Sequence, residues 1–126
     1  MLYSIDTGKY VKKVPHRKEF DKWMSNLKDE DYKRIYVELN SRVNGSDINT
    51  SSWIPGNDWT GTDFEPIYNA CGKSKANSGM FFGLILFDLM IKRDDVWGFG
   101  KYEKNGVPIK GTTYYLLKNP PQKPLN

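Results

Sequence analysis

The stretch 77–93, NSGMFFGLILFDLMIKR, decides the fold. From Met80 to Ile91 it is apolar except for Gly83 and Asp88, which predicts a helix over 78–93 buried around most of its circumference. Asn77 or Ser78 is the expected N-cap, because a short polar side chain there can accept from the first free backbone N–H groups. At about 100° per residue, Asn77, Asp88, Lys92 and Asp95 fall on one narrow stripe that also holds Phe81. Asp88 and Lys92 stand at i,i+4 spacing on that stripe. The apolar run is shorter than the roughly 20 residues that a bilayer span needs, so no membrane partner is expected. A helix this apolar needs neighbours on nearly every side, and the rest of the chain has to supply them.

Upstream, residues 2–14 alternate as a β-hairpin with Asp6-Thr7-Gly8 at the turn. Phe20, Trp23, Met24 and Leu27 recur at helical spacing and predict a helix from about His16 to Leu27, with Pro15 in its first turn. A second helix over 30–44 carries Tyr32, Ile35, Tyr36, Leu39 and Val43 on one stripe, with Asp29 as cap and Gly45 as a left-handed stop. These two helices read as scaffold. A polar loop over 46–61 holds one short strand at Trp53-Ile54, and a short helix follows near 63–71. There Thr62-x-x-Glu65 has the capping-box pattern, Pro66 suits a helix opening, and Gly72 ends the element.

Downstream of the long helix, Asn105-Gly106 divides an alternating stretch, the strongest local signal for a two-residue hairpin turn. That turn pairs Lys104 with Val107, Tyr102 with Ile109 and Lys101 with Lys110. Residues 118–126, KNPPQKPLN, form a Pro-rich extended tail after a single domain of 1–117. The expected fold class is α+β.

A chain of 126 residues with 38% apolar residues and 14% aromatics can bury one core without staples. The lone Cys71 excludes an internal disulfide and fits a reducing cytosol, hence a cytoplasmic location. The net charge of +4 is unevenly spread. Residues 1–18 hold Lys9, Lys12, Lys13, Arg17 and Lys18 against Asp6, a net +4; residues 92–126 hold seven bases against Asp94, Asp95 and Glu103, again +4. The middle is therefore −4, and basic ends of this kind suit an anionic partner such as nucleic acid.

Catalytic patterns do not survive inspection. Asp6-Thr7-Gly8 has the letters of an aspartic-protease site, but Ser4 breaks the apolar strand before it and Lys9 stands where a small residue is needed. Gly72-Lys73-Ser74 ends like a phosphate-binding loop, yet Ile67 occupies the position of the first glycine. Nothing in the spacing pairs Cys71 with His16, and Asp58, Asp63 and Glu65 match no calcium-loop spacing. No enzyme activity and no cofactor is expected.

From Trp53 onward the order of short strand, short helix, turn, long helix and hairpin resembles the winged-helix family, over roughly residues 53–117. The resemblance implies a helix-turn-helix plus β-hairpin after the N-terminal hairpin and two-helix scaffold. It also implies nucleic-acid binding through the start of the long helix, with Asn77, Ser78 and Phe81 toward bases and Lys73 and Lys75 on phosphates. The wing would present Lys101, Lys104 and Lys110. Short, basic, motif-free chains of this kind look like accessory proteins of phages or other mobile elements.

A different class of function uses the stretch 52–62, SWIPGNDWTGT, which holds two of the four tryptophans among turn residues. Trp53, Asp58 and Trp59 could form an aromatic rim for a small ligand or a protein partner, with homodimers formed through apolar surface. The opposing expectation is a plug, in which both rings fold onto the core.

Overall fold

The computed structural model describes residues 1–50, 59–100 and 112–119, together with the strand pairing of 103–104 and 107–108. Its elements in chain order are β1 (Leu2–Ser4), β2 (Lys9–Val11), α1 (Arg17–Met24), α2 (Asp29–Asn44), β3 (Ile48–Thr50), α3 (Glu65–Ala70), α4 (Lys75–Lys92), β4 (Trp97–Gly100), β5 (Glu103–Lys104), β6 (Val107–Pro108) and β7 (Thr113–Leu116). The protein is of the α+β class, with helices packed on one face of a mixed sheet.

The predicted long helix is α4, and it begins three residues before Ser78. Gly72 and Lys73 both take positive φ, 64° and 62°, and reverse the chain between α3 and α4. Ser74 is then the cap, its hydroxyl accepting from the Asn77 N–H at 3.3 Å, so neither Asn77 nor Ser78 fills that role. Burial follows the apolar run: Phe81 and Phe82, then Leu84 through Met90, are all inside. Phe81 meets Phe20 and Trp23 of α1 at 6.2 and 5.7 Å, whereas Phe82 meets Trp59 and Phe64 at 5.8 and 5.4 Å. Phe87 faces the sheet, edge-on to Phe99 at 5.2 Å. The stripe expected to be wet is therefore closed at Phe81 and nearly closed at Asp88, which is only 9% exposed.

The scaffold helices form where the apolar spacing places them, with different ends. In α2 the capping position is Lys28, extended at φ −70°, and Asp29 lies inside the first turn. Asp29 thus acts on the helix dipole without capping. Gly45 sits at φ −80°, so the helix ends without a left-handed residue. His16, at φ 52°, starts α1, which leaves Pro15 outside the helix. Before α3, the Phe64 N–H donates to the Thr62 hydroxyl at 3.2 Å and the Gly61 N–H donates to the Glu65 carboxylate at 2.9 Å. The Thr62/Glu65 signature is thus realised as reciprocal capping.

The main sheet has the order β2-β1-β4-β7-β3. β1 pairs antiparallel with β2 and parallel with β4, and β7 is antiparallel to both β4 and β3. Strand alternation sorts the side chains onto two faces. Leu2, Trp97 and Tyr114, with Phe99 and Leu116, join the helical core. The other face carries a single row across all five strands, Tyr10, Tyr3, Gly98, Tyr115 and Ile48, in register. None of these five belongs to the core cluster.

The chain ends of these elements are tied to α4. The Met1 ammonium donates to the carbonyls of Met90 (3.1 Å), Asp95 (2.8 Å) and Arg93, so it meets acceptors that the end of a helix leaves unpaired. The N–H of Trp97 then donates to the Met1 carbonyl at 2.9 Å and starts the β1–β4 ladder. The Asn105-Gly106 turn lies outside the described residues, but the pairing of Lys104 with Val107 around it is as the sequence predicts. The arms below it belong to the central strands β4 and β7, and they are out of step with the tip by two residues. The Trp53-Ile54 strand and the 120–126 part of the tail lie outside the described residues; the observed strand of that loop is β3. Among the described residues no helix is long and apolar enough to cross a membrane.

Candidate nucleic-acid interface

The reversal at Gly72-Lys73 leaves the start of α4 at the surface. Lys73, Lys75 and Asn77 are exposed there, and neither lysine enters an ion pair. Their charges are available beside the positive end of the helix dipole. Ser78 departs from its predicted role: it is fully buried, and its hydroxyl donates to the Ser74 carbonyl at 2.6 Å. One helical turn inside the cap, a small side chain that satisfies itself on the backbone faces α3 more readily than solvent. Phe81 is buried for the same positional reason and cannot reach a base.

The Phe87–Phe99 contact lies toward the far end of α4, and β4 begins beside its last turn. β4 therefore runs back along the helix, and its continuation heads for the end of the molecule where α4 begins. Gly100 lies against Asp6, so the turn of the first hairpin is at that end too. Lys104 belongs to β5, whereas Lys101 and Lys110 lie outside the described residues. Of the aromatic rim, Trp53 and Asp58 also lie outside the described residues. Trp59 is buried at 7% exposure against Phe82, which makes its ring part of the core and removes it from a ligand rim.

A second polar region, unmarked in the sequence, lies along the α2–α4 seam. Arg93 is its centre. Its guanidinium holds both oxygens of Asp95 at 2.8 and 2.9 Å and reaches Asn40 and Asn44 of α2 at 2.8 and 2.6 Å. That hydrogen bond is the main cause that lowers the Asp95 carboxyl below its ordinary value. An open cleft of about 520 Å³ runs over these residues, and a smaller one of about 350 Å³ lies over Asp88 and Lys92. Lys92 is held at 2.7 Å by Asp88, and that bond is the main cause raising the lysine. Burial raises the neighbouring Tyr32. The charges lining both clefts are largely spent on one another, Arg17 with Asp21 included, so the seam clamps helices together. No local pattern signals Arg93, because its α2 partners are far away in sequence.

Groups that could do covalent chemistry are subdued. Burial pushes the Cys71 thiol up to about 11, far from the thiolate that a nucleophile requires. Among the described residues no group of three or more His, Cys, Asp or Glu side chains converges as a metal site would. Comparison with protein-family models, with curated proteins and with solved structures returns no match.

Proposed function

We propose that this chain is a non-enzymatic binding module that acts on nucleic acid or on a partner bound to nucleic acid. The observation that carries this reading is the layering of charge. Four of the five strands of the main sheet come from the two basic ends of the chain, and the net-negative middle supplies most of the helical layer. A surface positive on one side attracts a polyanion and orients it. Lys73 and Lys75, exposed at the start of α4, and Lys101, Lys104 and Lys110 on the hairpin are the residues assigned to phosphates. Asn77 is the one polar side chain of the predicted reading helix that keeps access to bases.

The test is a binding titration with random-sequence duplex and single-stranded DNA at several salt concentrations. Counterion release makes log affinity fall with log salt by about 0.7–0.9 per phosphate neutralised. A slope corresponding to several phosphates supports the proposal. Failure to bind either DNA at low salt refutes it.

A further inference from the structure

We infer that the outer face of the main sheet is a stacking platform for an unpaired nucleic-acid strand. The inference rests on the nucleic-acid reading above and specifies its partner. All the core contacts of the sheet are made by its other face. The outer face is apolar and aromatic yet open: Tyr3, Tyr10, Tyr115 and Leu117 are half-buried, Ile5 is 51% exposed and Ile48 39%. Tyr3 and Tyr10 are held edge-to-face at 5.2 Å. That contact limits the freedom the two rings have left to lose on binding.

Gly98, between Tyr3 and Tyr115 in the row, has no side chain to stand above the sheet. Ile5 and Leu117 close over it, 3.2 and 3.3 Å from where a Cβ would stand. The result is a low apolar floor with a tyrosine on either side. The row spans about 19 Å at the usual strand spacing, which suits the two or three bases that an open sheet stacks. Lys9 and Lys13 are exposed along the β2 edge, and Lys118, loosely paired with Asp47 at 3.6 Å, lies past the end of β7. A phosphate backbone crossing the row therefore meets positive charge at both sides. A duplex keeps its bases stacked inside and offers this face no π surface; an unpaired strand offers one at every base.

The experiment measures affinity of the full chain for a labelled oligothymidylate and for a duplex of matched charge, with Tyr3→Leu and Tyr115→Leu variants alongside. Leucine keeps the face apolar and removes the ring. The expected result is preference for the single strand and a loss on the order of tenfold for each variant. Duplex affinity and salt slope should stay unchanged. Folded variants that bind the single strand like the parent overturn the platform while leaving the nucleic-acid reading intact. No binding by the parent to either DNA overturns that reading itself. Should a variant fail to fold, photo-crosslinking of a 4-thiothymidine strand to the parent protein decides: adducts on Tyr3 or Tyr115 support the platform, and adducts confined to the start of α4 and the hairpin overturn it. Self-association abolished by the leucine variants, with DNA binding untouched, assigns the face to a second copy of the chain and also overturns it.

Discussion

Replacing Arg93 should loosen the junction between α2, α4 and β4. The guanidinium is 15% exposed and makes four contacts, two to the Asp95 carboxylate and one each to Asn40 and Asn44. Charge-assisted hydrogen bonds contribute about 1.5–3 kcal/mol each, and contacts sharing one group do not add. Asp95 is 36% exposed, so water screens its share of the attraction. A loss of about 2–3 kcal/mol is expected for Arg93→Met, which keeps the apolar stem and removes the fork. Urea melts at neutral pH measure it. The same pair fixes the pH dependence. The folded-state Asp95 carboxyl lies below its unfolded value, so its stabilisation is present above about pH 4 and is lost as pH falls through the folded value. The gap between parent and variant should therefore narrow in acid. A loss below about 1 kcal/mol, or a gap that stays constant down to about pH 2, refutes the account of Arg93 as a clamp.

Trp59→Ala should cost about 3–5 kcal/mol of stability, and Trp59 in a single-tryptophan variant should resist acrylamide quenching until the protein unfolds. Cys71, buried with its thiol raised to about 11, should react with a disulfide reagent at pH 8 only after denaturation; rapid labelling of the native protein would contradict its placement. The double change of Lys101 and Lys110 to Gln should lower the salt slope of DNA binding by about one to two units. An unchanged slope removes the hairpin from the interface.

The helices were legible wherever one stripe of apolar residues set the register, as from Tyr32 to Val43, and the buried run from Met80 marked α4 as central. The hairpin tip was legible because Asn105-Gly106 admits few turn types, and Lys104 pairs with Val107 accordingly. What failed were readings that depend on distant neighbours. Ser74 displaced Asn77 and Ser78 as the cap because the Gly72-Lys73 reversal delivers the chain to the helix earlier. Asp88 looked like a residue of a wet strip, but Tyr32 and the packing of α1 narrow that strip to a cleft. The parallel partnership of β1 with β4 has no local signature, since hydrophobic alternation sets a strand's faces and not its partner. At the candidate site, the lysines before α4 were read correctly as exposed, and the tyrosine row was missed because its members come from four separate strands.

The parallel pairing of Leu2 with Trp97 also sets the order in which the molecule can be made. The first strand to leave the ribosome occupies an inner position whose second neighbour is among the last elements synthesised. Until β4 arrives, β1 has only its hairpin partner, and two paired strands alone are marginal in water. Meanwhile α4, the most apolar element, has been synthesised without a sheet to cover Phe87. Contacts of such long sequence separation slow folding and prolong the exposure of apolar surface. The interval between release of α4 and closure of the sheet is therefore when this chain is most prone to aggregate and has most to gain from a chaperone.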